Sequence, residues 1–265
     1  MIGEILIPAL SVGGIGLFFG GLLAYASIVF HVQSDERLDQ VTEALPGANC
    51  GGCGYAGCSA FAKAVVEDGV EITRCNLMTA EKAGIIAGIM GITAGAVVKK
   101  TARVACRGTC GVAPDKYEYY GLEDCVTAVQ LGGGPKKCEF GCMGLGSCVK
   151  VCAFDAIHIM DGVAQVDESL CTGCGACAGA CPKGIIHMVP SDKQVFVGCS
   201  SREKGVAVKN DCDVGCIACK LCEKKCMFDA VHVVDNIAAI DPAKCTNCGA
   251  CADACPKKII LKKGA

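Results

Sequence analysis

One cysteine pattern occurs twice in this chain and restricts it more than any other feature. CTGCGACAGACP, with Cys171, Cys174, Cys177 and Cys181, returns 74 residues later as CTNCGACADACP, with Cys245, Cys248, Cys251 and Cys255. Upstream of each copy, CEFGCMGLGSCVKVC (138–152) superposes without a gap on CDVGCIACKLCEKKC (212–226), except that Leu145 stands where the later copy has Cys219. The same offset pairs Cys138 with Cys212 and Cys125 with Cys199. With 25 cysteines in 265 residues, the chain is either a disulfide scaffold or a metal protein. A disulfide scaffold requires a secretory signal, but the first charged residue is Glu4 and no basic segment precedes the apolar run that follows. The thiols also come in tight C-x-x-C steps that converge on single points. A reducing compartment follows. The net charge of −2, the absence of Trp and 5% aromatic residues argue against a nucleic-acid partner.

C-x2-C-x2-C-x3-C-P is the run of bacterial two-cluster ferredoxins. Three close thiolates take three corners of one [4Fe–4S] cubane, and the fourth cysteine reaches the other cluster. Between the runs lie AIHIMDGVAQV and AVHVVDNIAAI, each reading as strand, tight turn, strand. In the second module the crossing rule groups Cys216, Cys219, Cys222 and Cys255, and separately Cys245, Cys248, Cys251 and Cys226. In the first it groups Cys171, Cys174, Cys177 and Cys152. The remaining site has Cys142, Cys148 and Cys181 but lacks a ligand at Leu145, and Cys138 is the expected stand-in. A further four-cysteine set, Cys50, Cys53, Cys58 and Cys75, lies in LPGANCGGCGYAGC and 17 residues beyond it. SAFAKAVVEDG, between its third and fourth cysteines, reads as a helix with Ala60, Phe61, Ala64 and Val65 on one face and Gly69 at its end. Five [4Fe–4S] clusters are therefore expected. Cys106, Cys110, Cys125, Cys199 and Cys212 remain as inert buried thiols, as ligands of a sixth cluster or other metal site, or as a redox pair.

Ile5 to Phe30 is 26 residues without a charge, enough for one membrane-spanning helix. Ala83 to Val98 is apolar too, but short and glycine-broken, which suits a buried helix or helix-turn. The expected chain is α+β. A transmembrane helix (1–33) leads into a small helical [4Fe–4S] domain (34–100) and a connector (101–135). The first bacterial-type 2[4Fe–4S] ferredoxin module (136–190), a second connector (191–210) and the second module (211–265) follow. No G-x-G-x-x-G follows a strand, no P-loop occurs, and LGGGP (131–135) reads as a turn. The four histidines are scattered. The residues therefore describe a wire and no substrate-converting site.

The order of parts resembles the B subunit of the Rnf complex, the membrane-bound ferredoxin:NAD oxidoreductase. The N-terminal apolar span, the Cys50/Cys53/Cys58/Cys75 set, GCMGLGSCVKVC, VGCIACKLCEKKC and both ferredoxin runs carry the resemblance across essentially the whole chain. Ala153 and Met227 depart from it, standing where a proline usually follows the fourth cysteine of a run. The resemblance implies a subunit anchored in the cell (inner) membrane, with its iron–sulfur domains on the cytoplasmic side. Such a subunit takes electrons from reduced soluble ferredoxin and passes them to other membrane and peripheral subunits, flavin-bearing ones included. The complex couples that flow to Na+ or H+ transport. Rival readings are a polyferredoxin subunit of a membrane hydrogenase or other dehydrogenase, a corrinoid-protein-like docking module built on Cys50 to Cys75, and a zinc scaffold. Lys220, Lys224, Lys225, Lys257 and Lys258 are candidates for an acidic partner's docking patch.

Overall fold

The computed structural model describes residues 2–29, 35–93, 95 and 97–262; in the first helix, side chains are described for 13–26 and Val29. α1, Ile2–Val29, is one continuous 28-residue helix, apolar but for Glu4 near its start. Among the described residues no helix is long and apolar enough to cross a membrane. The expected span from Ile5 to Phe30 lies partly outside the described residues.

Three helices form the next unit: α2 (Glu36–Ala44), α3 (Cys58–Glu67) and α4 (Ala80–Met90). Asp35 caps α2 and Thr79 caps α4, each side chain accepting from a backbone N–H of the first turn. α3 ends at Asp68, followed by Gly69 at φ +64°, the left-handed position that favours glycine. The helices enclose a core of Val41, Leu45, Phe61, Val65, Ile72, Met78 and Ile86. The apolar stretch from Ala83 supplies α4, whose Ala83, Ile86 and Ala87 are buried in that core; Ala94 and Ala96 lie outside the described residues.

The rest is two copies of one plan. In the first, β1 (Lys100–Val104) pairs antiparallel with β4 (Ile186–Pro190), and β2 (Ile157–Met160) forms a hairpin with β3 (Val163–Val166). In the second, β5 (Val195–Val197) pairs with β8 (Ile260–Lys262), and β6 (Val231–Val234) with β7 (Ile237–Ile240). Both hairpins turn through two residues of positive φ, Asp161-Gly162 and Asp235-Asn236, as a two-residue hairpin loop requires. β1 and β5 thus draw the segments set out as connectors into the modules. Ile185, Ile186, Ile259 and Ile260 are each 5% exposed or less and sit among the cysteines of the two cores.

Candidate iron–sulfur centres

All 25 cysteines are free thiols in the structure. In the helical unit, Cys50, Cys53 and Cys58 gather around Cys75, whose thiol they raise further after burial has raised it. The loop that carries them is tied down at both ends. Cys58 N–H donates to Asn49 Oδ1 at 2.7 Å, and Arg74 Nε donates to the Cys53 carbonyl at 3.2 Å. This unit packs directly on the first ferredoxin module. A Cβ on Gly52 would come within 1.9 Å of the Cys174 carbonyl oxygen, so glycine alone permits the approach, and Asn76 Nδ2 donates to that same oxygen at 3.4 Å.

Within the modules the cysteines gather in separate groups. Cys216, Cys219, Cys222 and Cys255 line one cavity of about 20 Å³. Cys226 and Cys245 stand beside Cys251, with Cys248 exposed at the edge of its loop. In the first module Cys171, Cys174 and Cys152 surround Cys177. The fourth group lies around Leu145, in a second cavity of about 20 Å³ lined by Cys125, Cys142, Cys148 and Cys181. Burial, with Cys142, Cys125 and Cys181 adding to it, pushes the Cys148 thiol up to about 12; burial first also pushes Cys177 and Cys222 to about 11. These pockets resist bare thiolates, and the positive core of a cubane compensates them.

Cys125, unassigned from sequence, therefore stands where Cys138 is expected. A short hydrogen-bonded chain positions it. Cys125 opens α5 (Cys125–Val129), whose cap Asp124 accepts from Thr127 N–H at 2.9 Å. Ser147, the first residue of α6 (Ser147–Lys150), donates to Asp124 at 2.6 Å and accepts from Cys125 N–H at 2.7 Å. That chain fastens Cys125 beside Cys148. Cys138 lies instead in a third cavity, with Cys106, Cys199 and Cys212. Cys110 is exposed and joins none of these groups.

The donor sets fit cubanes. Among the described residues no three Cys, His, Asp or Glu side chains converge as on a single metal ion. A cubane needs no such convergence, because each thiolate binds a different iron. Backbone amides point at the sulfurs: Ala156 N–H at Cys152 and Ala230 N–H at Cys226, both at 3.4 Å, and Ala164 N–H at Cys142 and Ala102 N–H at Cys171, both at 3.5 Å.

Comparison with known proteins agrees with this chemistry. An Fe–S cluster family matches residues 45–76, and the 4Fe-4S binding domain family matches 164–187 and 238–261. The chain is 47% identical over 98% of its length to the B subunit of the Na(+)-translocating ferredoxin:NAD(+) oxidoreductase complex of Acetobacterium woodii, covering 78% of that protein. It is 44% identical to the B subunit of the ion-translocating oxidoreductase complex of Methanosarcina acetivorans, over 97% of this chain and 98% of the relative. With the B subunit of the proton-translocating ferredoxin:NAD(+) oxidoreductase complex of Clostridium ljungdahlii it shares 42% identity, over 93% of this chain and 88% of the relative. The chain belongs to the family of B subunits of Rnf-type ion-translocating oxidoreductase complexes.

Proposed function

We propose that this chain is the iron–sulfur electron-transfer subunit of an ion-translocating ferredoxin:NAD oxidoreductase, receiving electrons from reduced soluble ferredoxin and handing them to partner subunits. The observation that carries the reading is the contiguity of the cysteine groups. The helical unit's set touches the loop of Cys174, and each ferredoxin module holds two groups in one small core. Each cubane, when bound, takes up and releases one electron without a change in its protein bonds.

The ligand sets are Cys50/Cys53/Cys58/Cys75, Cys152/Cys171/Cys174/Cys177, Cys125/Cys142/Cys148/Cys181, Cys216/Cys219/Cys222/Cys255 and Cys226/Cys245/Cys248/Cys251. The four buried isoleucines exclude water from the module cores, and the N–H···S bonds stabilise negative charge on the ligands; both influence potential. Cys219 and Cys248 are the exposed ligands, so the second module brings its sites to the surface. Leu221, Met227 and Phe228 are exposed in this module, as are Lys220, Lys224, Lys225 and Lys258. Exposed apolar side chains and lysines in one module suit a small acidic protein such as ferredoxin. Lys257 is half-buried and donates to the Asp213 carbonyl at 2.6 Å, so it contributes less. The uncharged run from Ile5 to Phe30, within and just beyond α1, anchors the chain in the membrane beside the flavin-bearing and other subunits, with the iron–sulfur units on the cytoplasmic side.

Anaerobic stopped-flow oxidation of reduced ferredoxin by the full chain tests the reading. Rapid bleaching of the chain's iron–sulfur absorbance, slowed steeply by salt, is expected. No reduction by ferredoxin would refute the electron-entry role, and indifference to salt would remove the lysine face.

A further inference from the structure

The two ferredoxin modules meet around a cavity that neither module's own clusters use. It is lined by Cys106, Cys138, Cys199 and Cys212. The four thiols come from four separate segments: after β1, at the start of the first repeat, after β5, and just past α7 (Gly205–Asp211).

The four thiols fall into two pairs of equivalent positions, one of each pair from each module. Cys138 and Cys212 are the 74-residue pair, and each carbonyl accepts from the amide three residues on, Gly141 at 3.1 Å and Gly215 at 3.3 Å. Cys106 and Cys199 are the second pair. Cys106 Sγ accepts from Cys142 N–H at 3.3 Å, and Cys199 Sγ accepts from Cys216 N–H, the equivalent amide, at 3.4 Å. The residues just before them bond to equivalent carbonyls, Ala105 N–H to Ile185 at 2.8 Å and Gly198 N–H to Ile259 at 2.7 Å. The guanidinium of Arg103 lies 4.9 Å from the ring centre of Phe196, its counterpart in the other module. Arg107 donates to the Lys258 carbonyl at 2.6 Å and Ser200 Oγ to the Ala105 carbonyl at 2.8 Å, which fixes the two halves of the site against each other.

A buried cation supplies a separate indication of an anionic occupant. Lys136 lines the cavity, is 4% exposed, and its ammonium donates to the Gly108 carbonyl. Among the described residues it forms no ion pair with a carboxylate, although Asp211 also lines the cavity. Burying an ammonium is costly unless a negative group compensates it. A cubane with four thiolates carries a net charge of about −2 when oxidised.

We propose that Cys106, Cys138, Cys199 and Cys212 hold a sixth [4Fe–4S] cluster, shared equally by the two modules and joining their clusters into one continuous chain. The amides of Cys142 and Cys216, ligands of the neighbouring sites on either side, point at its sulfurs, so the site stands between those two centres. One electron enters from one neighbour and one leaves to the other; no bond or proton changes hands. The proposal rests on the reading of the chain as an iron–sulfur protein, and its failure leaves that reading standing.

The test is iron, acid-labile sulfide and zinc per chain in anaerobically purified full-length protein. About 24 iron and 24 sulfide are expected, falling by about four of each in Cys212→Ser and unchanged in Cys110→Ser. About 20 of each in the wild type overturns the proposal without any variant. About 20 of each with one zinc assigns the four thiols to a structural ion and overturns it too. An unchanged count in Cys212→Ser does the same, whereas a wild type with almost no iron would refute the iron–sulfur reading itself.

Discussion

Gly52→Ala should separate the helical unit from the first ferredoxin module without removing a ligand. Gly52 does not occupy the left-handed region, so alanine introduces no backbone strain, and the effect lies wholly in contact. The new Cβ would sit 1.9 Å from the Cys174 carbonyl oxygen and 2.9 Å from its carbon, where ordinary contact begins near 3.4 Å. Both neighbours are backbone and cannot swing away as a side chain would. The two loops must therefore part by about 1.5 Å, at the roughly 1–3 kcal/mol that overpacking a tight contact costs. Asn76→Ala probes the same junction from another residue and should cost about 0.5–1.5 kcal/mol, the net value of one hydrogen bond. The two effects should not add, because both act on the Cys174 carbonyl. The assay is electron paramagnetic resonance of the reduced full chain, with iron and sulfide counts alongside. Iron should be retained, magnetic coupling between the Cys50 and Cys174 centres should weaken, and electron passage between them should slow. Unchanged coupling with unchanged thermal stability would refute the tight junction. Loss of about four iron would show that Gly52 serves cluster insertion and not docking.

Cys125→Ser should cost the first module one cluster, and adding Leu145→Cys should restore it, because Leu145 occupies the position that Cys219 fills in the other module; iron counts and cluster spectra of the single and double variants decide. Arg103→Met removes a buried ion pair with Glu168 and the cation over Phe196. It should lower stability by about 3 kcal/mol, the low end for breaking a buried pair, since Glu168 keeps a fifth of its side chain exposed. Limited proteolysis should then cut between the modules first, and a pattern like that of the wild type would contradict this. Stripping the clusters by oxidation and chelation should collapse the ferredoxin modules, whose cores include Cys142, Cys148 and Cys177, and Cys216, Cys222 and Cys251. Helical circular dichroism from α2 to α4 should persist, because the fully buried part of that core contains no cysteine; complete loss would contradict this.

Much of the fold was legible because local rules and the hydrophobic pattern agree over short distances. The hairpins follow from alternating residues around Asp-Gly and Asp-Asn, and α3 from an apolar face ending at Gly69. The second two-stranded sheet of each module was not legible. β1 and β5 are short, and they join the sheets by pairing with strands some 60 to 90 residues away. Nothing in their own composition distinguishes them from a connector, and only the closed core makes the pairing worth its loop-closure cost.

The cysteine sites show where a repeat misleads. The 74-residue offset aligns Cys125 with Cys199, yet the backbone makes Cys106 the counterpart of Cys199. β1 and β5 end at equivalent points opposite Ile186 and Ile260, and the two thiols follow two residues later. From there to the next cysteine of the repeat the first module takes 32 residues and the second 13. The extra length holds Asp124, Cys125 and α5, held by Ser147 against the cavity that Leu145 leaves short of a thiol. The module that has Leu145 in place of a middle ligand also has the longer loop, and that loop brings Cys125 to the same cavity. Cys138 is then free to do what Cys212 does. A ligand set drawn from equivalent backbone positions of the two modules accounts for the upstream cysteines of both, whereas an assignment by sequence offset alone leaves Cys106, Cys199 and Cys212 without a purpose.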